Sequence, residues 1–74
     1  MERYYTGVKS RNELLEAVKS YWQEHQRPPT YRELAEETGM VISQVYYHMT
    51  ILEKAGKIER EPGKARTIRV IEEN

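Results

Sequence analysis

Residues 28–60 read PPTYRELAEETGMVISQVYYHMTILEKAGKIER, and the punctuation of this stretch decides the fold. Pro28-Pro29 stops any helix arriving from upstream, because proline pushes the residue before it out of the helical region. Thr30, with Glu33 three residues on, forms a capping box that starts a new helix. Leu34 and Ala35 give that helix its inward side, and Gly39 ends it as a residue able to take positive φ. A helix of roughly eight residues is not stable alone and has to be docked by its neighbours. Met40-Val41-Ile42 forms the turn into a third helix, which starts at Ser43 or slightly earlier. Val45, Met49 and Leu52 fall on one of its faces. The 100° rotation per residue puts Ser43, Tyr47, Thr50 and Lys54 on the opposite face, with Gln44 and Ile51 beside them and Tyr46 and His48 on the flanks. Ala55-Gly56 closes it. Helix, glycine turn, helix, then strand is the layout of a helix-turn-helix followed by a wing.

Upstream, Ser10 with Glu13 makes a second capping box, so a first helix is expected from Ser10 to about Gln26. Leu14, Leu15, Val18, Tyr21 and Trp22 recur at helical spacing as one apolar stripe, with Trp22 as a core anchor. Residues 1–9 are irregular by pattern, an N-terminal arm in which Tyr4, Tyr5 and Val8 either pack on the domain or fray. Downstream, Lys57–Glu61 and Thr67–Ile71 read as strands about a Pro62-Gly63-Lys64-Ala65 turn, with Ile58, Ile68 and Val70 pointing inward. Residues 72–74 form an acidic tail. The expectation is one α+β, mostly α, domain over residues 10–71: a three-helix bundle with a helix-turn-helix and a C-terminal β-hairpin wing, a winged helix.

Composition narrows the function. The 74 residues include no cysteine and two histidines, His25 and His48, so neither a disulfide framework nor a thiolate zinc site is available. No run of about 18 apolar residues exists, and the opening MERYYTGVKS lacks the apolar stretch of a signal peptide. A soluble cytoplasmic protein is expected. Formal net charge is zero, unlike the basic balance usual for a nucleic-acid binder. The distribution is uneven, however: Ser43 to Val70 holds six basic against three acidic residues, while the first 42 residues hold six against seven. Positive charge therefore gathers on the third helix and the wing, where phosphates would lie.

The outward residues of the third helix are small, polar or aromatic, with no acid before Glu53. Gln44 can pair bidentately with adenine, and Ser43 and Thr50 can bond phosphates or base edges. Tyr46 and Tyr47 side by side are unusual on a merely solvated face, because exposed tyrosines cost solubility unless something covers them. Lys54 lies on the same face. Wing residues Arg60, Lys64 and Arg66, with Arg69, are placed to meet a phosphate backbone, although some of these cations are expected to pair with Glu59 or Glu61. Thr30, the cap of the second helix, is expected near a phosphate. Neutralising five or so phosphates predicts a log–log salt slope near −4 to −5. No catalytic constellation appears: there is no Cys or Asp, and Ser10 and Ser43 lack a histidine partner. Gly63-Lys64-Ala65 fails the phosphate-loop pattern, whose glycines are four residues apart and whose Lys precedes Ser or Thr. No metal, cofactor or small-molecule substrate is expected. His48 is read as packing against the helix-turn-helix core, and His25, near a helix end, as lying in solvent or interacting with the last carbonyls.

A first helix ending before PPT, then YRELAEETGM, VYYHMTILEKAGKIER and a wing ending in TIRVI together resemble the DNA-binding domain of LexA-type repressors. The resemblance runs from Ser10 to Ile71. Its most specific parts are Pro28-Pro29-Thr30, the Leu34/Gly39 framing of helix two, the His48 position and the Gly56–Ile58 turn into the wing. It implies operator binding through the third helix, with the wing on the backbone, by a small transcriptional regulator acting through occupancy. By position, the family's base-reading residues map onto Ser43, Gln44, Tyr46 and Tyr47. The family usually has a Ser-Pro-Asn-Ala-like start to this helix and acidic residues in its middle. Here the start is Val41-Ile42-Ser43-Gln44, one residue shorter, and two tyrosines replace the acids, which implies a different operator. Ala55-Gly56, a pair of the kind such repressors cleave, reads here as a structural cap. The self-cleaving peptidase half of those repressors is missing from this sequence, so no enzyme is expected. That half also supplies the dimer, so a homodimer on DNA would pair through other surfaces. The alternative reading is a winged-helix protein-interaction module binding polymerase or another regulator, supported by zero net charge and the exposed tyrosines. An RNA binder is a third, resting on the basic wing and the tyrosines.

Overall fold

The computed structural model describes residues 2–71, with side chains from Gly7 onward. In chain order the elements are α1 (Glu2–His25), α2 (Tyr31–Thr38), α3 (Ile42–Lys54), β1 (Ile58–Glu59) and β2 (Arg69–Val70). This is the three-helix, one-hairpin arrangement of a winged helix-turn-helix, mostly helical. No helix among the described residues is long and apolar enough to cross a membrane.

The first helix corrects one expectation. It is continuous from Glu2, so Ser10 lies inside it and forms no N-cap with Glu13. Nothing between Glu2 and Lys9 obliges the chain to leave the helix: there is no proline, and one internal glycine, Gly7, costs only about 1 kcal/mol against alanine. The side chains of Tyr4 and Tyr5, and the acidic tail at 72–74, lie outside the described residues. The helix ends as the prolines require, with Gln26 at φ 60° and its amide on the Trp22 carbonyl at 2.9 Å.

The short α2 carries the complete capping box: Glu33 N–H donates to Thr30 Oγ1 at 3.1 Å, and Thr30 N–H donates to Glu33 Oε1 at 2.9 Å. Gly39, at φ 78°, terminates it. The start of α3 is different. Val41 occupies its N-cap and offers no side-chain hydrogen bond. Its far end closes as a Schellman motif: Gly56 N–H meets the Glu53 carbonyl and Lys57 N–H the Leu52 carbonyl, with Gly56 at φ 76°.

The wing ladder is shorter than the pattern of Lys57–Glu61 and Thr67–Ile71 suggests. Only Ile58↔Val70 and Glu59↔Arg69 pair as strand. Past Glu59 the ladder gives way to side-chain bonding. Thr67 Oγ1 takes the Glu61 amide at 2.9 Å, and Arg66, at φ 58°, turns out of the hairpin. Leu14 and Val18 of α1, Leu34 of α2, Val45 and Met49 of α3, and Ile58 and Ile68 of the wing are all at most 2% exposed and make one core. Half-buried Trp22 packs on it and donates its indole N–H to the Ile68 carbonyl at 3.2 Å, tying α1 to the wing.

Candidate nucleic-acid interface

One side of α3 is core and the other is open. Val45, His48, Met49 and Leu52 are buried. Ser43, Gln44, Tyr46, Tyr47, Thr50 and Lys54 are exposed, Tyr47 at 63%. The period read from the sequence thus brings the six recognition-helix residues onto one solvent-facing surface. No acid precedes Glu53 on this helix, and Glu53 is itself paired with Arg60 at 3.0 Å.

Two of these side chains are held rather than loose. The ring of Tyr46 lies against Tyr31 of α2, centroids 4.2 Å apart. Thr50 Oγ1 donates to the Tyr46 carbonyl at 3.0 Å and accepts from Arg60 Nη2 at 3.2 Å. Arg60 binds this corner together. Its Nε donates to Glu53 at 3.1 Å, its Nη1 donates to the Tyr31 hydroxyl, and its guanidinium carbon sits 5.9 Å from the Tyr31 ring centroid. Partial burial opposes the Arg60 charge, but the bonds to Glu53 and Tyr31 outweigh it and raise its pKa. Arg60 therefore braces the α2–α3–wing junction.

Arg66 is likewise held by protein partners, although its side chain is more exposed, 35% against 18% for Arg60. Its guanidinium meets Glu33 through two bonds, Nη1–Oε1 at 3.1 Å and Nη2–Oε2 at 2.9 Å. The same Nη1 lies 3.2 Å from both the Tyr21 hydroxyl and the Pro28 carbonyl. This fork–fork pair clips the wing loop to the start of α2. The bond from Arg66 is the largest cause holding the Glu33 carboxyl down to about 2, with burial opposing and Thr30 and Tyr21 adding to it. Thr30 points its hydroxyl into its own capping box. Lys64 is at the exposed tip beside Glu61, 3.4 Å away, and Arg69 pairs across the ladder with Glu59. The wing thus carries its positive charge largely in local pairs, whereas Lys54, Lys57 and Arg32 are exposed and make no ion pair among the described residues.

Between the wing tip, the start of α2 and the Tyr46 flank of α3 runs an open cleft of about 680 Å³, lined in part by Thr30, Arg32, Ile42, Tyr46 and Lys64. The wing tip, the start of α2 and the Tyr46 flank of α3 thus border one groove. Three features of this surface escape a reading of the sequence alone: the brace role of Tyr31, the placement of Arg32 on the cleft, and the exposure of Val41 and Ile42, which look like ordinary turn residues. His48 is 8% exposed and its Nδ1 lies 3.3 Å from Arg11 Nη1. Arginine only donates, so Nδ1 accepts and the ring proton sits on Nε2. His25 is exposed near the end of α1, its ring 4.2 Å from that of Tyr21.

Comparison with known proteins gives a consistent answer. The model of the LexA DNA binding domain matches residues 8–67. The LexA repressor of Caldicellulosiruptor saccharolyticus is 40% identical over 68 residues, covering 90% of this chain and 34% of the repressor. Those of Bacillus mycoides, at 34% identity over 90% of the chain, and Staphylococcus epidermidis, at 35% over 89%, match likewise. The chain spans about a third of the length of these curated relatives.

Proposed function

The chain belongs to the LexA DNA binding domain family, and on that premise we propose that it binds double-stranded DNA at specific sites and represses transcription by occupying them. The observation that carries this reading is the undivided outward face of α3. Ser43, Gln44, Tyr47, Thr50 and Lys54 stand exposed opposite the buried stripe, and the first acid on that helix is neutralised by Arg60. In the major groove, Gln44 reads a base edge through its amide, Ser43 and Thr50 contact phosphate or base, and Tyr47 lies against the sugar–phosphate edge. Lys64 approaches a phosphate from the wing side of the cleft and Lys54 from the end of α3, and Thr30 and Arg32 bring the start of α2 toward the backbone. Arg60 and Arg66 serve in this reading as braces that hold Tyr46 and the wing in place. No reaction chemistry is proposed for these residues; the domain acts as a regulator by binding.

Selection of bound sites from a random duplex library tests this. Recovery of a defined motif, with affinity well above that for random duplex, is the expected result. A palindromic motif with half-sites about one helical turn apart indicates that two copies bind as a dimer. Failure to enrich any sequence, together with binding that ignores salt, overturns the reading and favours a protein partner, for which exposed Tyr47 would be the natural contact.

A further inference from the structure

Two apolar side chains sit where a base-reading helix begins, and neither belongs to the core. Val41 is 62% exposed and Ile42 is 42% exposed. The neighbouring Met40 packs against the core, but Val41 and Ile42 do not. Val41 also occupies the N-cap of α3 without capping it, a position that strongly prefers Ser, Thr, Asp or Asn. Two local preferences are therefore broken together: a cap is forgone, and two large aliphatic groups are left partly in water. Such coincident departures mark functional positions.

The chemistry of these side chains narrows what they meet. Neither has a donor or acceptor, so neither hydrogen-bonds a base edge or a phosphate. The N-terminal residues of a helix lying in the major groove are those that approach the base edges. The apolar feature that a base pair presents in that groove is the thymine C5-methyl. Ile42 lies one helical turn from Tyr46, on the flank that borders the cleft.

We propose that Val41 and Ile42 are specificity-determining residues that read thymine methyl groups in the bound site. The inference rests on the DNA-binding reading above and deepens it. Val41, ahead of the first turn, meets one methyl, and Ile42 meets a second toward the wing. Discrimination comes from apolar contact rather than from the hydrogen-bonding edge of the base pair.

The test replaces each thymine of a library-selected site, one at a time, by uracil, which deletes the methyl and leaves pairing unchanged. One or two positions are expected at which uracil weakens binding by about fourfold, the effect of losing one buried carbon. The sensitive position assigned to each residue should become indifferent to uracil in Val41→Ser or Ile42→Ala, respectively. Val41→Ser supplies the missing cap, so it should raise the thermal midpoint while lowering affinity for the thymine-bearing site, which separates recognition from folding. Uracil indifference at every position of a site that is still bound specifically overturns this inference alone. Uracil sensitivity that persists unchanged in both variants also overturns it. Absence of any specific site overturns the DNA-binding reading itself, and this inference with it.

Discussion

Arg66 and Glu33, 33 residues apart in sequence, join through two parallel hydrogen bonds of 2.9 and 3.1 Å, and Glu33 Oε1 also accepts the Thr30 amide at 2.9 Å. One carboxylate therefore completes the cap of α2 and holds the wing loop against it. The wing of this domain is held by this side-chain clip and by Ile58 and Ile68 in the core as well as by its two-rung ladder.

This clip gives the protein an acid limb. Glu33 titrates near 4.5 when unperturbed and is lowered to about 2 in the fold. Between those values the unfolded chain binds the proton and the folded chain resists it, so stability rises with pH across the window. The contribution is complete above about 4.5 and is lost as pH falls toward about 2. Glu33→Gln keeps a side chain that suits the capping box but removes the charge. Its thermal midpoint should be lower than that of the parent at neutral pH, and the difference should shrink as pH falls toward 2. Two melting curves offset by a constant amount across that range would assign the acid limb to other carboxylates.

A second pH effect sits at His48. Burial first, and the nearby Arg11 charge second, lower its pKa below 6.5. The folded state keeps the ring neutral, accepting from Arg11 through Nδ1. Stability from this site is present above about 6.5 and is lost as pH drops through the folded value. His48→Gln, which retains an acceptor for Arg11, should flatten stability between neutral and mildly acidic pH. Proton NMR of the ring gives an independent check: a His48 that titrates above its ordinary value of 6.5 would contradict the burial argument.

Much of this fold is legible in the sequence, for local reasons. The capping box at Thr30-Glu33, Gly39 and the Ala55-Gly56 close all act within a few residues, and the inward stripe of α3 follows from period alone. The start of α1 is not legible, because Ser10-Glu13 satisfies the capping pattern although the helix runs through it. A capping signature permits a start without requiring one. The wing is legible in outline but not in length, because what draws Arg66 out of the hairpin is a carboxylate on α2. The charge asymmetry of Ser43 to Val70 is legible, as is the pairing of wing cations with Glu59 and Glu61, whereas the partners from other elements are not: Arg60 reaches Glu53 of α3 and Arg66 reaches Glu33 of α2. Composition counts cations but does not say which of them still face solvent.

Gln44 stands exposed on the outer face of α3, and its side chain makes no hydrogen bond among the described residues. Its removal should therefore leave folding unchanged. If it pairs with a base, Gln44→Ala should weaken the selected site by about 1–3 kcal/mol and relax preference at one position. Binding to random duplex should be nearly unaffected. Equal losses on selected and random DNA would make Gln44 a backbone contact.

The pairing of the wing cations lowers the salt dependence expected from counting charges. Arg60, Arg66 and Arg69 are bound to Glu53, Glu33 and Glu59. The cations left facing solvent are Arg32 and Lys64 on the cleft and Lys54 and Lys57 at the end of α3 and the start of the wing; Lys64 is in an exposed pair with Glu61 that a phosphate can displace. Four phosphate contacts give a log–log slope of about −3 to −4, shallower than the −4 to −5 that five or so contacts give. Lys54→Ala and Lys64→Ala should each reduce the slope by about 0.9 and weaken all duplex sequences alike. Arg66→Ala should behave differently: it lowers the thermal midpoint and weakens binding by loosening the wing, yet leaves the slope where it was. A slope that drops by about one unit in Arg66→Ala would mean that DNA pulls this guanidinium away from Glu33, and the clip would then be a feature of the free protein only.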